Sequence, residues 1–281
     1  MEFGCGQCLP CRFNRRRLWT GRLMLESLFH EETCFITLTY NDESYPTDGS
    51  LSKDDYKNFI KRLRRKLEPQ KIRYYCVGEY GDNTLRAHYH IILFGFGCVE
   101  GLIKPEQINQ LNLFDQNQKI LMEAWQKKGQ IHVGETNSQS IQYSCGHIVK
   151  GMSKNDSRLG GKTPEFARMS LRPGIGHKVV ERIAEWHTTK EGARYIAENG
   201  DVVNSIRLDG KFWPLGAYLK SEIKKAIGME SNVSDLVIQR IGMERIEQIK
   251  ENGYDVFAKT RKYHALKAKQ IHSTQMIRRT L

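Results

Sequence analysis

Long apolar runs are missing from this 281-residue sequence. No segment is therefore expected to cross a membrane, and the N-terminus lacks the apolar core of a signal peptide. A phosphate-binding loop of the nucleotide-hydrolase type is also missing, which argues against a fused helicase or a nucleotide cofactor, and no internal repeat is present. The seven cysteines are odd in number and unevenly spread. That excludes a secreted disulfide framework and points to a reducing cytoplasm. Acidic residues are the scarcer charge, 32 against 44 basic, and the net charge is +12. A polyanion is the expected partner. The apolar content suffices for one large domain, or a domain with appendages.

The stretch Arg86–Gly95 organises what is present. In an extended strand alternate side chains share a face, so His88 and His90 point one way and Tyr89 the other. The apolar run from Ile91 to Phe94 reads as a strand buried on both faces. Nine residues before His88 lies Glu79, inside a second strand, Ile72–Tyr80, rich in aromatic and β-branched residues. Gly81, Asp82 and Asn83 supply turn chemistry that folds one strand back on the other. The Glu79 carboxylate would then meet the histidines. Two histidines and a carboxylate with open positions suit a divalent metal that must also bind phosphate oxygen and water. The plainer alternative is a strand with two exposed or core histidines.

Upstream, Cys5, Cys8 and Cys11 at two-residue intervals hold part of a zinc site or remain free thiols, with Cys34, Cys76, Cys98 or a histidine as the fourth ligand. Arg12, Arg15, Arg16 and Arg17 follow at the start of a helix, either a solvated face or a phosphate-neutralising cluster. Cys34–Tyr40 alternates as a strand of the same sheet, with its threonines on one face. Ser52 and Asp55 form a capping-box pattern before Tyr56, Phe59, Ile60, Leu63 and Leu67, at helical spacing until Pro69. The other face of that helix carries Lys61, Arg64 and Arg65, a solubility device or a phosphate track.

Downstream, Gln107–Gln118 reads as loop, Lys119–Lys127 as a short helix and Gln130–Gly134 as a strand. Ser138 is expected to cap a helix that buries Ile141, Cys145, Ile148 and Met152. Tyr143, His147 and Lys150 share its opposite face. That stripe is either plain surface or, beside a metal that polarises a phosphodiester, a nucleophile with supporting acid, base or charge stabiliser. Gly151–Lys162 is small, polar and basic, as in a mobile loop. A helix is expected over Lys178–Trp186, a hairpin over Val202–Trp213 around Asp209-Gly210, and helices over Leu215–Ile227 and Asp235–Lys250. A basic tail runs from Lys259 to Arg279.

The strand Phe35–Thr39, the His88-Tyr89-His90 strand and the Tyr143–Lys150 helix resemble the three ordered motifs of histidine-hydrophobic-histidine endonucleases, the rolling-circle replication initiators. The closer resemblance is to initiators of the gokushovirus branch of microviruses. It extends over the Cys/Arg-rich opening, Gly78–Gly81, Pro164–Gly176 and Pro214–Leu219. The resemblance implies an α+β fold: an antiparallel sheet with flanking helices in a nuclease domain over 1–195, and an α-rich appendage over 196–281. It implies a divalent cation, magnesium or manganese, on His88, His90 and Glu79, and attack by Tyr143 with His147 and Lys150 assisting. Arg15, Arg16, Arg17, Lys61, Arg64 and Arg65 are the expected nucleic-acid contacts. The implied partners are origin DNA, single-stranded and in the supercoiled replicative form, and host replication machinery in the bacterial cytoplasm. A second tyrosine one turn after the first is common in such initiators, and here His147 occupies that place. The alternatives from other classes are a non-catalytic nucleic-acid-binding regulator and a zinc-dependent hydrolase.

Overall fold

The computed structural model describes residues 6, 8–109, 116–150, 159–230, 234–253, 260 and 262–270, with backbone alone at 147–150 and 252. Cys5, the side chains of Ile148 and Met152, most of the Gly151–Lys162 segment and the end of the basic tail lie outside them. The chain divides into two compact units, Leu23–Ile175 and Met1–Arg22 with Gly176–Leu281.

The first unit is built on a six-stranded sheet in the order β4-β5-β1-β3-β2-β6. Its strands are β1 (Thr33–Leu38), β2 (Arg73–Tyr80), β3 (Ala87–Phe94), β4 (Gly101–Ile103), β5 (Ile131–Glu135) and β6 (Phe166–Met169), and every pairing is antiparallel. The α+β expectation holds. On one face, α2 (Lys53–Leu67) buries Tyr56, Phe59, Ile60, Leu63 and Leu67, and α3 (Gln116–Trp125) adds Leu121 and Trp125. They close over Ile36, Leu38, Cys76, Tyr89, Ile91 and Leu93 of the sheet. Each such side chain, removed from water, contributes about 1.5–3 kcal/mol. On the other face Tyr75, Val77, Ile92 and Phe94 are buried, and α4 (Ser138–Lys150) packs across β2 and β3.

Several boundaries differ from those expected. The Gln/Asn-rich stretch is helical from Gln116. Asn117 and Gln118 donate to the carbonyls of Gly97 and Val99, so their amides tie the helix to the β3–β4 connection. The edge strands β4 and β6 were not expected; three and four residues are too short to show an alternating pattern. Ser52 does cap α2, accepting from the Asp55 amide, but Asp55 does not complete a reciprocal box. Its carboxylate is taken by the Tyr40 hydroxyl and the Lys128 ammonium. The cap of α4 is Asn137, whose side-chain oxygen accepts from the amides of Gln139 and Ser140, and Ser138 is the first helical residue.

In the second unit the expected hairpin is present as β7 (Ser205–Leu208) and β8 (Lys211–Pro214). Asp209 and Gly210 both have positive φ, 49° and 74°, as a two-residue turn of this hand requires. Helices α5 (Val179–Thr188), α6 (Lys190–Asn199), α7 (Gly216–Ala226) and α8 (Asp235–Asn252) belong to the same unit; α6 was not anticipated. Between Leu9 and Arg22 the unit contains the first part of α1 (Leu9–Ser27), where a Cβ on Gly21 would stand 2.9 Å from Trp213 Cβ. Asp201 holds Lys220 and Lys224.

Candidate active site

Three neighbouring strands build one cluster. The register sets Glu79 of β2 opposite His88 of β3, and Thr37 of β1 opposite His90. Because side chains alternate, all four residues stand on one face of the sheet and Tyr89 stands on the other, among the α2 core. His88 Nε2 and His90 Nε2 each lie 2.9 Å from Glu79 Oε1. Ligand atoms of the three residues fall within 4.8 Å of one another, the one group of three such residues able to hold a metal ion among those described. Glu79 is 7 % exposed and His90 5 %.

The remaining ring nitrogens decide what the cluster can bind. His88 Nδ1 lies 3.1 Å from the Arg86 carbonyl oxygen, which accepts only, so Nδ1 carries the proton. His90 Nδ1 lies 2.9 Å from Thr37 Oγ1, which is able to accept in the same way. With the proton on Nδ1, each Nε2 can present its lone pair to a cation seated between it and the Glu79 carboxylate, and an acceptor at Nδ1 is the outer-shell arrangement that orients metal-ligating histidines. Burial pulls the His88 pKa down, but the hydrogen bond and charge of Glu79, with the Arg86 carbonyl, outweigh it and hold the pKa above the ordinary histidine value. The donor set of two imidazoles and one carboxylate fits a divalent ion with further positions left for oxygen ligands.

Tyr143 reaches this cluster from α4. Its ring meets His90 edge-on with centroids 5.3 Å apart and meets Phe35 at 6.3 Å, while Phe35 stacks on His90 at 5.5 Å. Ile141 and Cys145 are buried as expected and Tyr143 is 39 % exposed, so a partly accessible phenol stands beside the candidate ligands. His147 and Lys150 follow on the same helix, with their side chains outside the described residues.

The other expected residues lie elsewhere. Arg15, Arg16 and Arg17 are on α1 in the second unit, where Arg17 donates to the Phe212 carbonyl. Lys61, Arg64 and Arg65 are exposed on α2, on the sheet face away from the histidines. Cys8 and Cys11 sulfurs are 3.3 Å apart. Cys34 and Cys76 are core residues whose thiols burial pushes well above their usual pKa. Thr37, Phe35 and the Arg86 carbonyl were not singled out by sequence; only the strand threonines as a group hinted at one of them.

An antiparallel sheet that offers a Glu-His-His group on adjoining central strands, with Tyr143 beside it, defines a candidate metal centre. Residues 33–156, which contain the whole cluster and Tyr143, match a family described as Replication-associated protein ORF2. The chain is 30 % identical over 190 residues to Replication-associated protein VP4 of Bdellovibrio phage phiMH2K, covering 65 % of this chain and 59 % of that protein. It is 31 % identical over 183 residues to Replication-associated protein ORF4 of Chlamydia phage 1, covering 58 % and 44 %. A third relative, Replication-associated protein ORF2 of Spiroplasma virus 4, is 31 % identical over 182 residues, covering 62 % and 55 %. The chain thus spans about half the length of the curated relatives it matches. No solved structure matches. Over the matched part of its length the chain is similar to phage proteins described as replication-associated.

Proposed function

We propose that the chain initiates replication of a small single-stranded DNA phage genome by nicking one strand of the origin in the double-stranded replicative form, and later rejoins the displaced strand into a circle. The observation that supports this reading is the Tyr143 ring against His90, a phenol next to the Glu79–His88–His90 group. A divalent cation, magnesium or manganese, would be held by those three residues and would polarise the phosphodiester as a Lewis acid. Tyr143 Oη forms a bond to phosphorus as the bond from phosphorus to the 3′ oxygen breaks. The phenolic proton passes to His147, and the departing 3′ oxygen takes a proton from solvent. Lys150 offsets charge on the phosphate.

The products are a 5′-phosphotyrosyl link and a free 3′-OH primer for the host replication machinery in the bacterial cytoplasm. The link retains the energy of the broken bond, so attack by a 3′-OH rejoins the strand. Arg15, Arg16 and Arg17 neutralise phosphates of the bound DNA. No described helix is long and apolar enough to cross a membrane.

The test is a covalent adduct. Protein incubated with the phage's single-stranded circular genome and Mn²⁺ or Mg²⁺ is expected to yield a protein–DNA species that survives denaturation and maps to the Tyr143 peptide. A non-catalytic binder leaves no such adduct, and its absence overturns the proposal.

A further inference from the structure

A second basic surface lies on the face of the sheet away from the cluster. Lys57, Lys61, Arg64 and Arg65 of α2 line an open groove of about 450 Å³ together with Tyr74 and Glu68. Tyr74 belongs to β2 but has the opposite parity to Glu79, so it points toward α2 while Glu79 points toward the histidines. The Arg64 guanidinium lies over the Tyr74 ring, 5.5 Å from its centroid. Lys57 is engaged by Asp54 at 3.3 Å and Lys66 by Glu123 at 2.5 Å, whereas Lys61, Arg64 and Arg65 make no ion pair among the described residues. Like charges gathered at helical spacing, with Glu68 as the one carboxylate in the lining, repel one another, a cost that a bound anion removes.

The shape indicates which anion. Eight residues of helix separate Lys57 from Arg65, a rise of about 12 Å. Along a DNA strand a phosphate recurs about every 3.4 Å of helix axis, so this row matches a run of several phosphates and exceeds one. A chain of net charge +12 adds long-range attraction for such a polymer.

We propose that the α2 row holds the backbone of DNA flanking the nick, on the opposite side of the sheet from the scissile phosphate. The inference rests on the nucleic-acid-binding part of the function proposed above, and not on the covalent step. DNA long enough to pass from one face to the other engages both surfaces, and a short oligonucleotide at Tyr143 engages only one. The two surfaces then reinforce each other through effective concentration.

The experiment compares affinity for short and long DNA at several salt concentrations, in wild-type protein and in the Lys61→Ala/Arg64→Ala/Arg65→Ala variant. Wild-type protein should gain at least tenfold in affinity with length. The variant should lose most of that gain, and the slope of log affinity against log salt for long DNA should flatten by about 2–3, near 0.9 for each phosphate no longer neutralised. Lys61→Arg/Arg65→Lys, which keeps the charges, should retain the gain. An unchanged salt slope, or equal proportional loss on short and long DNA, overturns the proposal. Thermal unfolding of the variant checks that these exposed positions have not destabilised the sheet. A length effect that wild-type protein shows and the variant loses, in a protein that forms no adduct, would refute nicking and leave this surface standing.

Discussion

Thr37 Oγ1 stands 2.9 Å from His90 Nδ1, although the two residues are 53 positions apart in sequence. They are direct cross-strand partners between β1 and β3. The hydroxyl fixes the ring so that Nε2 faces Glu79.

Replacing Thr37 with valine keeps shape and strand preference but removes the acceptor for Nδ1. Loss of an outer-shell partner of this kind weakens metal binding about 10–100-fold. Calorimetric titration with Mn²⁺ should show that loss, and Thr37→Ser should recover most of it. Unaltered affinity in Thr37→Val would mean that the hydroxyl does not orient the ring.

Removing the ligands themselves should separate chemistry from binding. Glu79→Ala and the double change His88→Ala/His90→Ala are expected to bring adduct formation below detection, as is a chelator added to unaltered protein. DNA affinity should change by less than about threefold, since it comes mainly from the Lys and Arg surface. Full nicking by the double variant would remove the metal-centre reading.

The acid sensitivity of the unit Leu23–Ile175 should trace in part to Asp55. Burial would raise its pKa, but hydrogen bonds from Lys128 and Tyr40 prevail and hold it below the usual carboxylate value. A depressed pKa contributes stability that is present above the unfolded value of about 3.9 and is lost as pH falls through the folded value. Urea unfolding should therefore show Asp55→Asn less stable than the parent at pH 7, by about 1–3 kcal/mol for a partly buried charged hydrogen-bonded group. The difference should shrink below pH 4. An equal difference at pH 7 and pH 3 would rule out ionisation as its source.

The cluster was legible in sequence because period-two alternation aligns His88 with His90, and a Gly-Asp-Asn turn predicts the return that brings back Glu79. Helix α2 was legible from its five apolar residues at helical spacing. Thr37 was not, because its partnership depends on how β1 registers against β3, and no local pattern encodes that. Strands β4 and β6 escaped for a related reason: they exist as edges that pair with longer strands and have little pattern of their own. The cap of α4 falls on Asn137 rather than Ser138, since both are good capping residues and only the backbone decides between them.

The last prediction concerns the second cut. Circularising a displaced strand requires cleavage of a regenerated origin while Tyr143 still holds the first 5′ end, and the residue one turn along α4 is His147. An imidazole is a poor durable nucleophile here and is better suited to carrying a proton. One protomer should therefore nick and slowly rejoin through Tyr143 alone, with the second cut made by Tyr143 of another copy. Wild-type protein preloaded on DNA, then supplied with free Tyr143→Phe protein, should stall before circularisation, while free wild-type protein should complete it. Completion at undiminished rate by isolated preloaded protomers would sink the two-copy scheme. His147→Tyr should then allow adducts at position 147 as well as 143, because residues four apart share a helix face. If peptide mapping finds adducts only at 143, the phenol at 147 does not reach the phosphate, and the shared-face assignment fails with it.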